Sequence, residues 1–362
     1  MNIMKNSMTS STATTKKTRA QTISRRTQAL CALCAGLLAA LAVLSLFTGK
    51  YPLSLGELLE GNVLQRRIFL NLRVSRTIVG VAGGFVLGVS GFVYQTLFRN
   101  PLASPDIIGV SSGASAGAAA GILLFSGQTA GTGQAAAATQ SAIAAQTAVA
   151  VCAFGGALSA VAVVLALSAL DRTGKNSSIV LAGIAVHALA QTALMCLKLT
   201  ADPERELASI EFWIMGSLSG ISIHSLEGNL LLCLFCLTAL FLLHRHIIIL
   251  SGEEGEVRML GVSVGKLRLL VLVTATLAVS AVISLTGLIS FIGLLAPHGA
   301  RLFTRDNRPG AMLLGGLMGG ILLLGADILA RSVSSVELPV SIFTSLLGAP
   351  FLIILIVRKG KV

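Results

Sequence analysis

Ten apolar stretches, separated by short polar breaks, dominate this sequence of 362 residues. A helix needs roughly 20 mostly apolar residues to cross the hydrocarbon core of a bilayer. Hydrophobic residues make up 54% of the chain and charged residues 12%, which is more apolar surface than a water-soluble domain can bury. Because backbone groups need partners inside the bilayer and no alternating strand pattern is visible, the sequence predicts an all-α integral membrane protein. The stretches begin near Ala29, Thr77, Ile107, Ile143, Ile179, Leu226, Leu267, Gly287, Ala311 and Ser341.

The basic residues follow the positive-inside rule for multi-pass membrane proteins. With the N-terminus in the cytoplasm and ten spans threaded, 19 of the 27 Lys and Arg residues fall inside and 8 outside. We therefore predict cytoplasmic N- and C-termini in a plasma (inner) membrane. The net charge of +12 reflects this asymmetry, and with only 5% aromatic residues nucleic acid is not an expected partner.

The chain divides into a polar tail and one membrane domain. Residues 1–27 are rich in Ser, Thr, Lys and Arg without acidic side chains, so we predict a disordered, basic cytoplasmic tail. Residues 28–362 are predicted to form a single transmembrane domain whose first span is retained, since nine further spans follow it. The low-complexity residues 126–146 are interpreted mostly as an outward loop.

Glycines recur at four-residue spacing in three of the stretches, where they predict close helix packing within one bundle. These glycines are Gly80, Gly84 and Gly88; Gly113, Gly117 and Gly121; and Gly315, Gly316, Gly319 and Gly320.

The cysteines do not predict a metal site. Cys31 with Cys34 and Cys233 with Cys236 have a spacing that zinc and redox sites use. All six cysteines lie in apolar stretches without neighbouring His or acidic ligands, so we interpret them as small buried hydrophobic side chains.

The spans carry almost none of the ionisable side chains that proton- or ion-driven transporters place in mid-membrane. His187 and Asp327 are the main exceptions. A nucleotide site is also not recognisable, because GVSVGKL from Gly261 has one residue too few between its glycines and Leu267 where a hydroxyl is needed. The chain is predicted to be no enzyme and to draw its energy from another protein.

A polar loop between the sixth and seventh spans, residues 251–266, is a candidate docking place for that protein. Ser251 followed by Glu254 fits a capping box that starts a short helix. Taken alone, the loop fits a docking helix and an ordinary solvated surface helix equally well. Its candidate coupling residues are Glu253, Glu254, Glu256, Arg258, Leu260 and Gly261.

Several segments, in order along the chain, carry a resemblance to a known family. They are LRVSRTIVG from Leu72, FRNPLASPDIIGVSSGASAG from Phe98, EFWIMGSLSG from Glu211, GLISFIGLLAPHGARLF from Gly287, GADILARS from Gly325 and ELPVSIFTSLLGAPFLI from Glu337. Together they resemble the FecCD-like permeases of ATP-binding cassette (ABC) importers for iron-siderophores, haem and cobalamin. Ser75 departs from the pattern, since the family usually has Pro there.

The resemblance implies a type II importer permease fold with about ten transmembrane helices per subunit. It also implies a second copy of the chain or a close paralogue, ABC ATPase subunits that bind ATP and magnesium, and a substrate-binding protein over the outer mouth. No cofactor is expected on this chain. The loop at 251–266 becomes the segment that couples the permease to its ATPase.

Particular residues acquire roles through the same resemblance. Arg73, Arg76 and Arg331 are implied to dock acidic residues of the binding protein, since guanidinium groups pair well with carboxylates. Two alternatives remain: Arg331 can pair with Asp327 one helical turn earlier, and Arg73 and Arg76 can anchor at the lipid interface. The resemblance places the cytoplasmic gate at Asn176 and Ser177, which equally fit a helix cap.

The resemblance favours an iron-siderophore as cargo, because the family is richest in such systems. Haem and cobalamin remain open as alternatives. A secondary transporter or channel that acts without an ATPase is the alternative from another class, and it would not need the loop at 251–266.

Overall fold

The computed structural model describes residues 2–49, 63–125, 135–170, 176–221, 223–252, 263–304, 309–333 and 337–359. Throughout these ranges the regular structure is helical. The helices are α1 (Asn2–Phe47), α2 (Val63–Arg67), α3 (Ser75–Leu97), α4 (Val110–Phe125), α5 (Ala135–Leu170), α6 (Asn176–Thr200), α7 (Glu206–Met215), α8 (Ile223–Leu242), α9 (His244–Ile249), α10 (Val264–Thr286), α11 (Ile292–Thr304), α12 (Pro309–Ser332) and α13 (Val340–Lys359). A π-helical segment, Ile68–Val74, joins α2 to α3, and a 3-10 turn, Pro105–Ile108, precedes α4.

Each of the ten predicted stretches coincides with a helix, which confirms the all-α membrane fold. In the described ranges, six helices are long and apolar enough to cross a bilayer, and Val110–Phe125, Leu226–Leu242 and Val340–Ile354 are shorter apolar helices. The eighth stretch gives α11, which has only 13 residues and contains Pro297. A proline inside a helix removes one backbone hydrogen bond.

Two helices begin earlier in the chain than the apolar stretches that predicted them. The backbone of α1 is helical from Asn2, where the sequence predicts a disordered tail up to residue 27. No Pro or Gly occurs before Gly36, so nothing in the chain interrupts that helix. The segment hydrophobic enough to span begins only at Arg25. Similarly, α5 begins at Ala135 inside the predicted outward loop, because its alanines favour helix.

Helix α3 lies at the centre of the bundle, with most of its residues buried. Its glycines face α12: a Cβ atom on Gly80 would lie 2.8 Å from Leu324, and one on Gly84 would lie 2.8 Å from the Gly320 Cα. The second glycine row packs α4 against α5, since Gly113 adjoins Gly156. The small residues therefore serve close packing within one bundle, as predicted.

Ser75 shapes the entry to α3. Its backbone N–H and its Oγ both donate to the Leu70 carbonyl oxygen, the Oγ at 3.0 Å, and so close the π-helical turn. Proline has no N–H and could not make the first of these bonds. The departure from the family pattern therefore coincides with a local π-helix, a feature frequent at functional sites.

Three non-helical segments meet beyond the ends of α7, α10 and α12. Ser217 N–H donates to the Thr286 carbonyl at 2.8 Å, and Val340 N–H donates to the Gly216 carbonyl at 3.1 Å. The Ser341 hydroxyl donates to the Leu288 carbonyl at 2.7 Å. Inside a membrane protein, non-helical backbone is tolerated where it is buried in protein or lines a water-filled cavity. Through these hydrogen bonds, polar groups left free where one helix ends are satisfied by groups of a neighbouring segment.

Candidate functional site

A buried cluster of charged side chains joins α3 to α12. The Arg76 Nε donates to Asp327 Oδ1 at 2.8 Å, and the Arg76 Nη1 donates to Glu337 Oε2 at 3.1 Å. The Arg331 Nη2 lies 3.1 Å from Asp327 Oδ2, an ion-pair distance without the angle of a hydrogen bond. Asp327 therefore holds two guanidinium groups while its own side chain is 0% exposed.

The same cluster fastens the end of α1. Arg331 Nη1 donates to the Thr48 carbonyl at 2.7 Å, and its Nη2 donates to the Ser45 hydroxyl at 2.8 Å. Arg73 Nη1 donates to the Leu46 carbonyl at 2.8 Å. Carbonyls at a helix C-terminus lack intrahelical donors and carry partial negative charge, so arginines suit them. The cluster thus ties three helix ends together.

All three arginines predicted to dock a binding protein belong to this outer cluster, which we define as Arg73, Arg76, Arg331, Asp327 and Glu337. The pairing of Arg331 with Asp327 that the sequence left as an alternative is confirmed. The arginines are not free on the surface, as docking residues were expected to be, since all three are buried. Burial also argues against lipid anchoring by Arg73 and Arg76. Docking itself stays a prediction.

The outer cluster carries three guanidinium groups and two carboxylates. A buried charge without a counter-charge is costly, so Arg76 and Arg331 depend on the carboxylates that they contact. The side chain of Glu337 is 35% exposed, so the cluster is accessible from that side.

Another arginine, half-buried, lies at the opposite end of α3. Arg301, on α11, donates to Gln95 Oε1 at 2.9 Å and to Thr96 Oγ1 at 2.6 Å. It also donates to the Phe92 carbonyl at 3.1 Å, and its guanidinium carbon lies 4.5 Å from the centre of the Phe92 ring. We call Arg301 with Gln95, Thr96 and Phe92 the inner cluster. Among the described residues, the groups that contact the Arg301 guanidinium are neutral acceptors and an aromatic face.

A cavity of about 1280 Å³ opens at the same end of the bundle as the outer cluster. Its lining combines aromatic side chains with hydroxyl and amide groups, and one basic and two acidic residues. The broken segments around Ser217 and Gly287 form part of its wall. Other lining residues are Phe154, Trp213, Ser219, Asn229, Asp202, Arg205 and Glu206.

The other predicted sites lie mostly outside the described residues. Glu253, Glu254, Glu256, Arg258, Leu260 and Gly261 fall in the range 253–262, which the structure does not describe. Asn176 and Ser177 are the first residues of α6, and their side chains are also outside the description. Among the described residues, no group of three His, Cys, Asp or Glu side chains is placed to hold a metal ion.

Sequence reasoning missed several members of these clusters. The bond between Arg76 and Asp327 joins residues 251 positions apart, so no local sequence pattern predicts it. The inner cluster was missed for the same reason, since Arg301 and Gln95 are 206 positions apart. The one available signal was the four-residue spacing of Asp327 and Arg331.

Comparison with known proteins gives consistent results. The sequence model of the FecCD transport family matches residues 37–358. The "Cobalamin import system permease protein BtuC" of Halobacterium salinarum is 33% identical over 285 residues, covering 79% of this chain and 72% of that protein. The "Probable iron chelatin transport system permease protein" of Helicobacter pylori is 35% identical over 297 residues, covering 82% and 84%.

Relatives named for hemin and for molybdate transport match as well. A solved structure described as a metal-chelate type ABC transporter in an inward-facing conformation superposes with a TM-score of 0.77 at 30% identity. That match covers 92% of this chain and 99% of the other. The chain therefore belongs to the FecCD transport family: it is a multi-pass inner-membrane permease subunit of an ABC importer, in which a separate subunit hydrolyses ATP.

Proposed function

We propose that this permease imports an iron-siderophore complex, which it receives from a binding protein and releases into the cytoplasm by ATP-driven alternating access. The observation that carries the proposal is the cavity of about 1280 Å³ beside the broken helices. Ligand pockets commonly measure about 300 to 1,000 Å³. A space of this size suits a bulky chelate better than a small oxyanion such as molybdate.

The chemistry of the cavity wall supports the same choice. Trp213 and Phe154 offer aromatic faces, while Ser219 and Asn229 offer hydrogen bonds. Arg205 is accompanied by Asp202 and Glu206, so the wall lacks the excess positive charge that an oxyanion site needs. Haem and cobalamin also fit a large mixed cavity, and the relative named for iron chelatin, at 35% identity, favours the iron chelate.

Protein partners are proposed to bind at the two ends of the helix bundle. The outer cluster, with Arg73, Arg76 and Arg331, is proposed to receive acidic residues of the binding protein. The range 253–262, between α9 and α10, is proposed to contact the ATPase. Two copies of the chain, or the chain and a paralogue, are proposed to meet across a pathway closed on the cytoplasmic side at Asn176 and Ser177. Both termini are proposed to be cytoplasmic.

Uptake of radiolabelled ferric siderophores, haem, cobalamin and molybdate by cells with and without the chain tests the cargo. Loss of ferric siderophore uptake alone is the expected result. Loss of another cargo with ferric uptake intact would overturn the assignment. A triple variant, Glu253→Ala with Glu254→Ala and Arg258→Ala, should reach normal membrane levels and transport poorly if the loop couples to the ATPase.

A second variant tests the cavity separately from the partners. Ser219→Trp adds a large ring to the cavity wall, and Ser209→Ala, which also alters the wall but adds no bulk, is the matched control. The tryptophan variant should lower uptake at least tenfold while binding-protein docking stays unchanged. Normal uptake by Ser219→Trp would exclude the cavity from the cargo route.

A further inference from the structure

The two carboxylates that hold Arg76 differ sharply in their surroundings. Asp327 lies 2.8 Å from Arg76 Nε with its side chain 0% exposed, and it also faces Arg331. Glu337 lies 3.1 Å from Arg76 Nη1 with its side chain 35% exposed, and among the described residues no second contact holds its carboxylate. Asp327 cannot leave without stranding two buried cations, whereas Glu337 can turn into solvent.

The backbone around Glu337 is consistent with an exchangeable contact. Glu337 precedes α13 on the non-helical segment 337–339, where Leu338 N–H reaches the Ala330 carbonyl only at 3.5 Å. The next firm backbone bond is that of Val340 N–H to the Gly216 carbonyl at 3.1 Å. A side chain on such a non-helical segment can change its rotamer at a small cost in free energy.

Arg76 also has an unused donor. Its Nη2 is buried and has no hydrogen-bond partner among the described residues, while Glu337 accepts from Nη1 alone. Guanidinium presents its terminal nitrogens as a fork that matches both oxygens of one carboxylate. An incoming carboxylate that bonds to Nη1 and Nη2 together would therefore make one more hydrogen bond than Glu337 makes.

We propose that Glu337 occupies the docking position of an acidic residue from the binding protein, and that docking exchanges the Glu337 carboxylate for the partner's at Arg76. The inference rests on the proposed docking of a binding protein at the outer cluster. Glu337 keeps the buried arginine neutralised in the free permease. It also competes with the partner, so it lowers the affinity of the complex and speeds its release.

Removal of the competitor should strengthen docking. In Glu337→Gln the amide keeps the shape of the side chain but loses its charge, so the binding protein meets an uncontested guanidinium. We expect the Kd to fall about two- to fivefold, the range that the loss of one partly exposed ion pair allows. The slower release should appear in the dissociation rate, which carries most differences between related complexes.

The measurement uses the complete permease–ATPase complex in lipid nanodiscs, immobilised on a sensor surface. The probe is the binding protein whose deletion abolishes uptake through this permease. Glu211→Gln is the matched control, because Glu211 forms a comparable ion pair with Lys198 at 2.8 Å and is 45% exposed. Arg76→Lys keeps the charge but loses the fork, and it tests docking at Arg76 itself.

A lower Kd for Glu337→Gln, with Glu211→Gln unchanged and Arg76→Lys weakened, is the expected pattern. If Arg76→Lys weakens binding while Glu337→Gln leaves the Kd unchanged or raises it, docking at the outer cluster stands and the exchange is refuted. If neither variant changes the Kd, docking at Arg76 falls and the exchange falls with it. Equal thermal unfolding temperatures for the two glutamine variants exclude a folding defect as the cause.

Discussion

The two arginine clusters at opposite ends of α3 satisfy their guanidinium groups in different ways. In the outer cluster, Arg76 and Arg331 share the carboxylate of Asp327, so positive guanidinium groups are paired with a negative carboxylate. In the inner cluster, Arg301 is held by the neutral oxygens of Gln95, Thr96 and the Phe92 carbonyl, and by the Phe92 ring. The outer cluster therefore contains a carboxylate that our proposal exchanges for another, whereas no carboxylate among the described residues contacts Arg301.

The difference has a functional meaning. A carboxylate held at the edge of a positive cluster is a natural place for another protein to bind, because opposite charges steer and orient the encounter. A guanidinium surrounded by neutral acceptors fixes one helix against another. We infer that the outer cluster serves exchange with a partner, and that the inner cluster serves the stable packing of α11 on α3.

The largest effect is expected from Asp327→Asn. It leaves Arg76 and Arg331 buried without their shared counter-charge, which should destabilise the fold by about 3 to 5 kcal/mol. Thermal unfolding in detergent and the amount of protein in the membrane measure this. Glu211→Gln is the control, with an expected loss of about 1 kcal/mol or less. An unchanged unfolding temperature for Asp327→Asn would show that Asp327 does not hold the helix ends together.

A smaller loss is expected from Arg301→Met. This change removes the donor for Gln95 Oε1, Thr96 Oγ1 and the Phe92 carbonyl, and unsatisfied buried acceptors cost about 1 to 3 kcal/mol. Because no charge is stranded, the loss should be below that of Asp327→Asn. The same unfolding assay compares the two. A greater loss for Arg301→Met would contradict the distinction between the clusters.

The pair Asp327→Asn with Arg331→Met sharpens the comparison. Removal of one stranded cation should recover about 1 kcal/mol or more relative to the sum of the single changes, within the range typical of residues in contact. The matching pair of Asp327→Asn with Arg301→Met should be additive, because the two clusters lie at opposite ends of α3. Equal coupling in both pairs would mean that charge balance is not the cause.

The smallest effect is expected from a change in salt concentration during docking of the binding protein. Exposed charge interactions are screened at high ionic strength, while buried ones are screened much less. Raising the salt from about 0.1 M to about 1 M should weaken docking of the binding protein and leave the unfolding temperature nearly unchanged. Docking that is insensitive to salt would argue against an electrostatic contact at the outer cluster.

The fold was predictable because hydrophobic length is a local property. All ten stretches became helices, and the shortest, from Gly287, became the short α11. Composition was a poorer guide to where helices begin: α1 starts at Asn2 and α5 at Ala135, both ahead of the apolar stretches that predicted them. The polarity of the sequence indicates where a helix leaves the membrane, but it does not indicate where the helix ends.

The site was predictable only in part. The spacing of Asp327 and Arg331 on one helix offered their pairing as an alternative to docking, because residues four apart share a helix face. The contacts of Arg76 with Asp327, and of Arg331 with Ser45, join distant segments and depend on the packing of α1, α3 and α12. That packing is determined by glycine contacts between helices, and no single stretch of sequence specifies it.

Transport in a defined system tests the central claim most directly. Proteoliposomes would contain this permease with its ATPase, and would receive the binding protein and a radiolabelled ferric siderophore on the outside. The account predicts accumulation of label inside only when the ATPase, ATP and magnesium on its side of the membrane, and the binding protein are all present. Accumulation by the permease alone, or none with the complete set while another chelate accumulates, would contradict it.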